Sequence, residues 1–218
     1  MKYKFQKAQK IILYLLIALA LTHSVKSQDS SAKTSAFHDL FLSGYVNFLN
    51  DGSTYGMGIS GGYYKNIYAE ARYNYEDLQT FSLFAGYAFS NDEHQVKWEI
   101  IPMVGIAVGQ TNAILPAMEA SAGYKKINFN SQLEYAVSLE SKKSNYWYAW
   151  SELTYALASW LEPGIVIQRS KLYKTGRQID RGLMLNSNCL PHTTASVYLF
   201  DPFDRHRRFL VVGINYAF

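Results

Sequence analysis

Glu70 and Arg72 stand two residues apart, as do Lys97 and Glu99, and Arg169 and Lys171. A spacing of two puts both members of a pair on one face of an extended strand. Glu119, Glu134 and Glu152 add single carboxylates to segments of the same period. Opposed charges sharing a face either cross-link a wall or line a water-filled passage and set its field. Catalytic chemistry has a thinner basis. Among the histidines beyond the N-terminal segment, His38 precedes the first expected strand and His94 and His192 fall in expected turns. Only His206, with Asp201 and Asp204 nearby in DPFDRHRR, falls in a turn expected on the outer side, where general-base work on lipid would be placed, and that loop holds no serine. No catalytic residue, metal ligand or cofactor is expected.

The elements that carry these charges read as strands. INFNSQLEYAVSLE (127–140) sets Ile127, Phe129, Leu133, Tyr135, Val137 and Leu139 against Asn128, Asn130, Gln132, Glu134 and Glu140. No helix would keep that separation. IYAEARYNYE sets Ile67, Ala69, Ala71, Tyr73 and Tyr75 against Glu70, Arg72, Asn74 and Glu76, and TFSLFAGYAFS alternates likewise. In STYGMGISGGYY, Tyr55, Met57, Ile59 and Tyr63 oppose Gly56, Gly58, Ser60 and Gly62. Turn signals break the runs: NDGS at 50, KN at 65, EDLQ at 76, SNDEHQ at 90, QTN at 110, KK at 125, ESKKSN at 140, LEPG at 161, YKTGRQ at 173, NCLPH at 188 and DPFDRHR at 201. These predict about twelve strands, ten if the weak stretches near 162–173 and 178–188 fail. The fold expected is all-β, an antiparallel up-and-down transmembrane barrel.

The chain opens with lysines and no acid, then IILYLLIALAL and small residues, the order of a secretory signal peptide too short to anchor. Val25 and Ser27 place cleavage after Ser27, giving a signal at 1–27, a short segment at 28–38 and a barrel at 39–218. Residues 1–27 carry five lysines and no acid, which leaves 16 bases against 17 acids beyond them. The whole-chain pI near 8.9 therefore reflects the leader, and charge implies no nucleic-acid partner. With one cysteine, Cys189, no internal disulfide forms.

Alternation alone does not say which face meets water. Twelve strands are more than the eight that side chains can fill, so a soluble barrel of that width would enclose a void. Glu70, Arg72, Lys97, Glu99, Glu119, Glu134, Glu152, Arg169 and Lys171 are assigned to the face opposite the aromatics, as lumen-lining residues. A lipid-facing Arg or Lys at the bilayer midplane costs about 2–4 kcal/mol, so a membrane barrel keeps them inward. The 18 tyrosines, many near expected strand ends, suit interfacial girdles.

The last strand, LVVGINYAF, resembles the C-terminal strand of Gram-negative outer-membrane β-barrel proteins, with Leu210, Val212, Ile214, Tyr216 and Phe218 matching its alternate apolar positions and final Phe. The resemblance implies an outer-membrane barrel surrounded by lipid, a strand read by the barrel assembly machinery, and closure against the first strand. Small porin-like barrels of about twelve strands, including those passing acidic oligosaccharides, line their pores with bases; the mixed signs here depart from that pattern. The expected function is a narrow porin-like channel for passive diffusion of small solutes. A structural or assembly barrel is the alternative, and a lipid-modifying enzyme a weaker one. Pro102 and Pro116, inside two expected strands, read as bulges or as a weakened seam for a lipid tail.

Overall fold

The computed structural model describes residues 37–92, 95–172 and 178–218. The expected signal peptide (1–27), its cleavage site, His94 and the turn at 173–177 lie outside the described residues. Thirteen strand segments follow in order: β1 (Phe37–Phe48), β2 (Thr54–Tyr64), β3 (Ile67–Tyr73), β4 (Phe81–Tyr87), β5 (Phe89–Asn91), β6 (Val96–Val108), β7 (Ala113–Tyr124), β8 (Ile127–Ser138), β9 (Tyr146–Tyr155), β10 (Leu161–Leu172), β11 (Gln178–Leu190), β12 (Thr193–Phe200) and β13 (Phe209–Ala217). All pairings are antiparallel. β1 pairs with β13 from Phe41↔Ala217 to Phe48↔Leu210, and β4 pairs with β6, so the sheet closes on itself. The closing seam is tied further by the Phe218 amide on the Leu40 carbonyl (2.9 Å) and by Asn215 Nδ2 on Ser43 Oγ (2.7 Å).

β4 and β5 are two halves of one stave, which makes the barrel twelve-stranded. Both pair with β6 in a single register, Gly86 opposite Met103 and Phe89 opposite Ile100. The break falls opposite Ile101 and Pro102, where proline has no N–H to give. On the other edge of the stave the β3–β4 pairing runs on through the break, the Ala88 amide bonding to the Asn66 carbonyl at 2.8 Å. Pro116 acts on the other edge of the same hairpin: β7 pairs with β8 at Ile114↔Val137 and again at Ala117↔Glu134, with the register kept. Between them the hairpin is paired throughout, Pro102 opposite Met118 and Val104 opposite Pro116. Neither proline makes a bulge, and the two share no seam. Each leaves a short gap, on opposite edges of β6–β7.

Three other expectations are corrected. The alternation in β2 is real, but Tyr55, Met57 and Ile59 pair with Asn47, Tyr45 and Ser43 of β1 and point inward with them. Ser43 and Asn47 are each 3 % exposed, and a ladder carries one phase across both strands. Gly56, Gly58 and Ser60 therefore form the outer face there. LEPG is not a turn: Leu161 to Gly164 open β10, paired with β11, and the reversal lies just before, where Leu157 and Ala158 bond to the Leu161 carbonyl. The barrel begins at Phe37, so His38 lies within β1.

Outside, the surface is apolar; Val104, Ile106 and Val108 are 56, 55 and 61 % exposed. Inside, two apolar clusters face each other. One joins Tyr68, Phe84, Ile101, Met103, Leu115 and Ala136 on β3–β8; the other joins Val166, Met184, Tyr198, Phe200 and Val211 on β10–β13, with Tyr45 and Trp150 packed against it. The interior is thus partly a packed core and partly polar.

Candidate functional site

Arg72, 1 % exposed, sits at the centre of the polar part. Its Nε donates to Glu70, its Nη1 to Glu134 (3.1 Å) and Glu76 (3.4 Å), and its Nη2 to Glu119 (3.5 Å). Gln132, with its amide turned to satisfy both sides, accepts from both Nη atoms (2.5 and 2.7 Å) and donates to the Tyr75 hydroxyl (2.8 Å). The five N–H donors of a guanidinium are matched by four carboxyl groups and one amide. Phe84 and Tyr75 hold its faces, with ring centroids 4.1 and 4.7 Å from Cζ. Neutral donors satisfy the carboxyl groups further: Tyr68 on Glu70, Ser82 on Glu76, and Tyr146 on Glu134 at 3.3 Å. The network ties β3 to β7 and β8 through the interior.

The connection from β3 to β4 completes it. The EDLQ signal at 76 does mark a reversal, and residues 74–80 also fold inward. Asn74 makes this possible: at φ 58° it turns the chain, accepts from the Gln79 amide (2.7 Å) and donates to the Gly56 carbonyl (2.9 Å). Tyr75 then reaches across to Tyr148, edge-on at 5.8 Å between centroids.

Beside this plug lies a cavity of about 590 Å³, lined from β1, β2, β3, β6–β10, β12 and β13. Its charged lining is Asp39, Glu70, Glu99, Glu119 and Glu152, without a basic side chain among the described residues. Glu99 accepts from Tyr63 Oη (2.9 Å) and Glu152 from Trp150 Nε1 (2.7 Å). A second cavity, about 370 Å³, opens at the rim away from the chain ends and holds Asp180, His206 and Arg207. The two share Asn47, Tyr55 and Gln168 as lining, so these residues form a neck between them. At the upper cavity Arg207 is paired with Asp180 (2.6 Å) and Asp201 (3.2 Å). The His206 amide bonds to Asp204 and its carbonyl to Asn50, both as loop ties.

The assigned charges therefore separate. Glu70, Arg72, Glu119 and Glu134 converge in one cluster, and Glu99 and Glu152 line the cavity. Lys97 keeps the inner phase, opposite Gly123, but is exposed at the rim bearing the chain ends. Arg169 and Lys171 are corrections. Arg169 is exposed and pairs with Ala149, and Lys171 pairs with Trp147, both outer-phase positions; the inner phase of β10 is Val166 and Gln168, opposite Glu152 and Trp150. An apolar residue among the inward ones hid that phase. With Arg169 outside and no base lining the larger cavity among the described residues, the expected balance of signs gives way to an acidic cavity. Reasoning from sequence also missed Asn47, Tyr75, Gln132 and Trp150. Glu76 was legible in phase with Glu70 and Arg72, but its turn context concealed its role. Leu210, Val212, Ile214 and Tyr216 share the outer phase of β13.

No protein-family model matches this sequence, and no curated protein matches it. Solved structures do resemble it. The KdgM porin superposes with a TM-score of 0.61 at 12 % identity, covering 82 % of this chain and 99 % of that one. The KdgM porin in complex with disordered oligogalacturonate gives 0.62 at 11 %, covering 82 % and 99 %. The NanC porin gives 0.60 at 12 %, covering 82 % and 100 %. Identity this low speaks for architecture alone: the chain has the barrel fold that the KdgM and NanC porins have.

Proposed function

We propose that the chain is an integral outer-membrane β-barrel of a Gram-negative envelope, exported by a signal peptide cleaved after Ser27, and that it acts as a narrow channel for passive diffusion of small solutes. The observation that carries this reading is the pair of cavities, sharing Asn47, Tyr55 and Gln168 as lining, beside the Arg72 plug. An apolar outer face over a partly wet interior suits hydrocarbon outside and water within. Leu210, Val212, Ile214, Tyr216 and Phe218 are then the strand offered to the assembly machinery. The experiment is planar-bilayer recording of the refolded protein: discrete conductance steps are expected, and a silent barrel overturns the channel. The specific support for a structural barrel is the Arg72 network, which braces β3 against β7 and β8 through the interior. KdgM has been seen with oligogalacturonate, a polyanion, and a cavity lined by five acids and no base is unsuited to that solute.

A further inference from the structure

We propose that the cavity holds a binding site for a small organic ammonium ion bearing hydroxyl or carbonyl oxygens, an amino sugar being the type, with Glu152 taking the cation and Asn47 donating to an oxygen. This rests on the reading of the barrel as a passage. The first support is charge. Every charged side chain lining the larger cavity is acidic, and neither Glu99 nor Glu152 has an ion-pair partner among the described residues. The basic groups at the interior are engaged elsewhere: Arg72 with its four carboxyl groups, and Arg207 with Asp180 and Asp201.

The second support is independent of charge. Asn47 is 3 % exposed, and its Nδ2 has no hydrogen-bond partner. A buried donor left unpaired costs about 1–3 kcal/mol, and native proteins leave few without a reason. This one lines both cavities. It needs an acceptor oxygen, which a bare alkylammonium lacks and a sugar hydroxyl or carbonyl supplies.

Aromatic faces complete the site. Trp150 is fixed edge-on against Tyr198 and Phe200, at 5.3 Å from each centroid, and its indole N–H is spent on Glu152. Tyr45, two residues before Asn47 on the same face, packs against the same cluster. Rings beside a carboxylate hold an ammonium by cation–π and ion-pair attraction together, and the rings also accept the C–H faces of a sugar. Gln168, opposite Trp150 in the ladder, offers a further amide at the neck.

The test titrates the folded full-length barrel in detergent micelles by calorimetry with glucosamine, N-acetylglucosamine and glucuronate, one cationic, one neutral and one anionic ring of similar size. Glucosamine is expected to bind at least about tenfold more tightly than the other two, the factor that about 1.4 kcal/mol of charge interaction carries. Glu152→Gln should remove that preference, and Asn47→Ala should weaken glucosamine and N-acetylglucosamine alike, by roughly tenfold or less. Heat-modifiable migration verifies that each variant is folded, and the three-solute comparison on the unaltered protein stands without them. Equal binding of the three solutes, preference for glucuronate, or no binding overturns the site. Binding in a barrel that is silent in bilayers overturns the channel and keeps the site, whereas conductance without glucosamine binding does the reverse.

Discussion

Arg72 shows how much one side chain can hold. Removing one partner from a buried ion pair costs about 3–5 kcal/mol, because the charge left behind has no water to turn to. Here four carboxyl groups would be left. Arg72→Met should therefore lower the urea midpoint of the micellar barrel by the equivalent of at least that cost. Arg72→Lys should fall between, since an ammonium is a point charge with three donors and cannot serve four acceptors and Gln132 in a plane. Adding Glu134→Gln to Arg72→Met should recover part of the loss, a coupling that a double-mutant cycle reads directly. If Arg72→Met unfolds as the parent does, the cluster is not the brace described. Tyr75 tests the plug from the solvent side: Tyr75→Ala removes the ring over the guanidinium and its contact with Tyr148. Single-channel conductance should rise, and unchanged conductance would place the constriction elsewhere.

At the scale of strands, rings and glycines are matched across the ladder. Phe84 lies on Gly105, its ladder partner, so closely that a Cβ there would come within 2.5 Å of the ring. That ring also covers Arg72. Gly105→Val should displace it and cost about 1–3 kcal/mol, the range for overpacking, seen as a lower unfolding temperature; an unchanged one would mean the ring has room to move. Pro116→Val should have the opposite sign. It restores a donor in a gap whose register is already correct, worth about 0.5–1.5 kcal/mol, and new hydrogen-exchange protection at residue 116 would report it. Strand existence and most turns were legible because alternation and turn residues are local. Three things were not. The facing of β2 depends on the partner strand, since its small and large faces read equally well either way. The phase of β10 was masked by Val166 among inward residues. The inward fold of 74–80 depends on Asn74 bonding both across its own turn, to Gln79, and to Gly56 of β2, and the second bond is not revealed by spacing along the chain.

The whole molecule is asymmetric in section. Its β3–β8 side carries the Arg72 brace and one apolar cluster, and the larger cavity runs beside them, lined from β3 and β6–β8 as well as from β1, β2, β9 and β10. The larger cavity keeps acids on its surface while the Arg72 guanidinium is spent in the brace. If ions pass this way, cations should therefore be favoured over anions. The strength of that preference must depend on salt, because the field from wall charges reaches about 10 Å at 0.1 M and only about 3 Å at 1 M. In a KCl gradient the reversal potential should show potassium preferred over chloride, more strongly with dilute than with concentrated salt. Glu99→Gln and Glu152→Gln together should reduce the preference most where the field reaches furthest, in dilute salt, and leave the open-state conductance at 1 M nearly as it was. A chloride preference, or a potassium preference indifferent to both salt and these substitutions, would show that ions do not travel past these carboxyl groups.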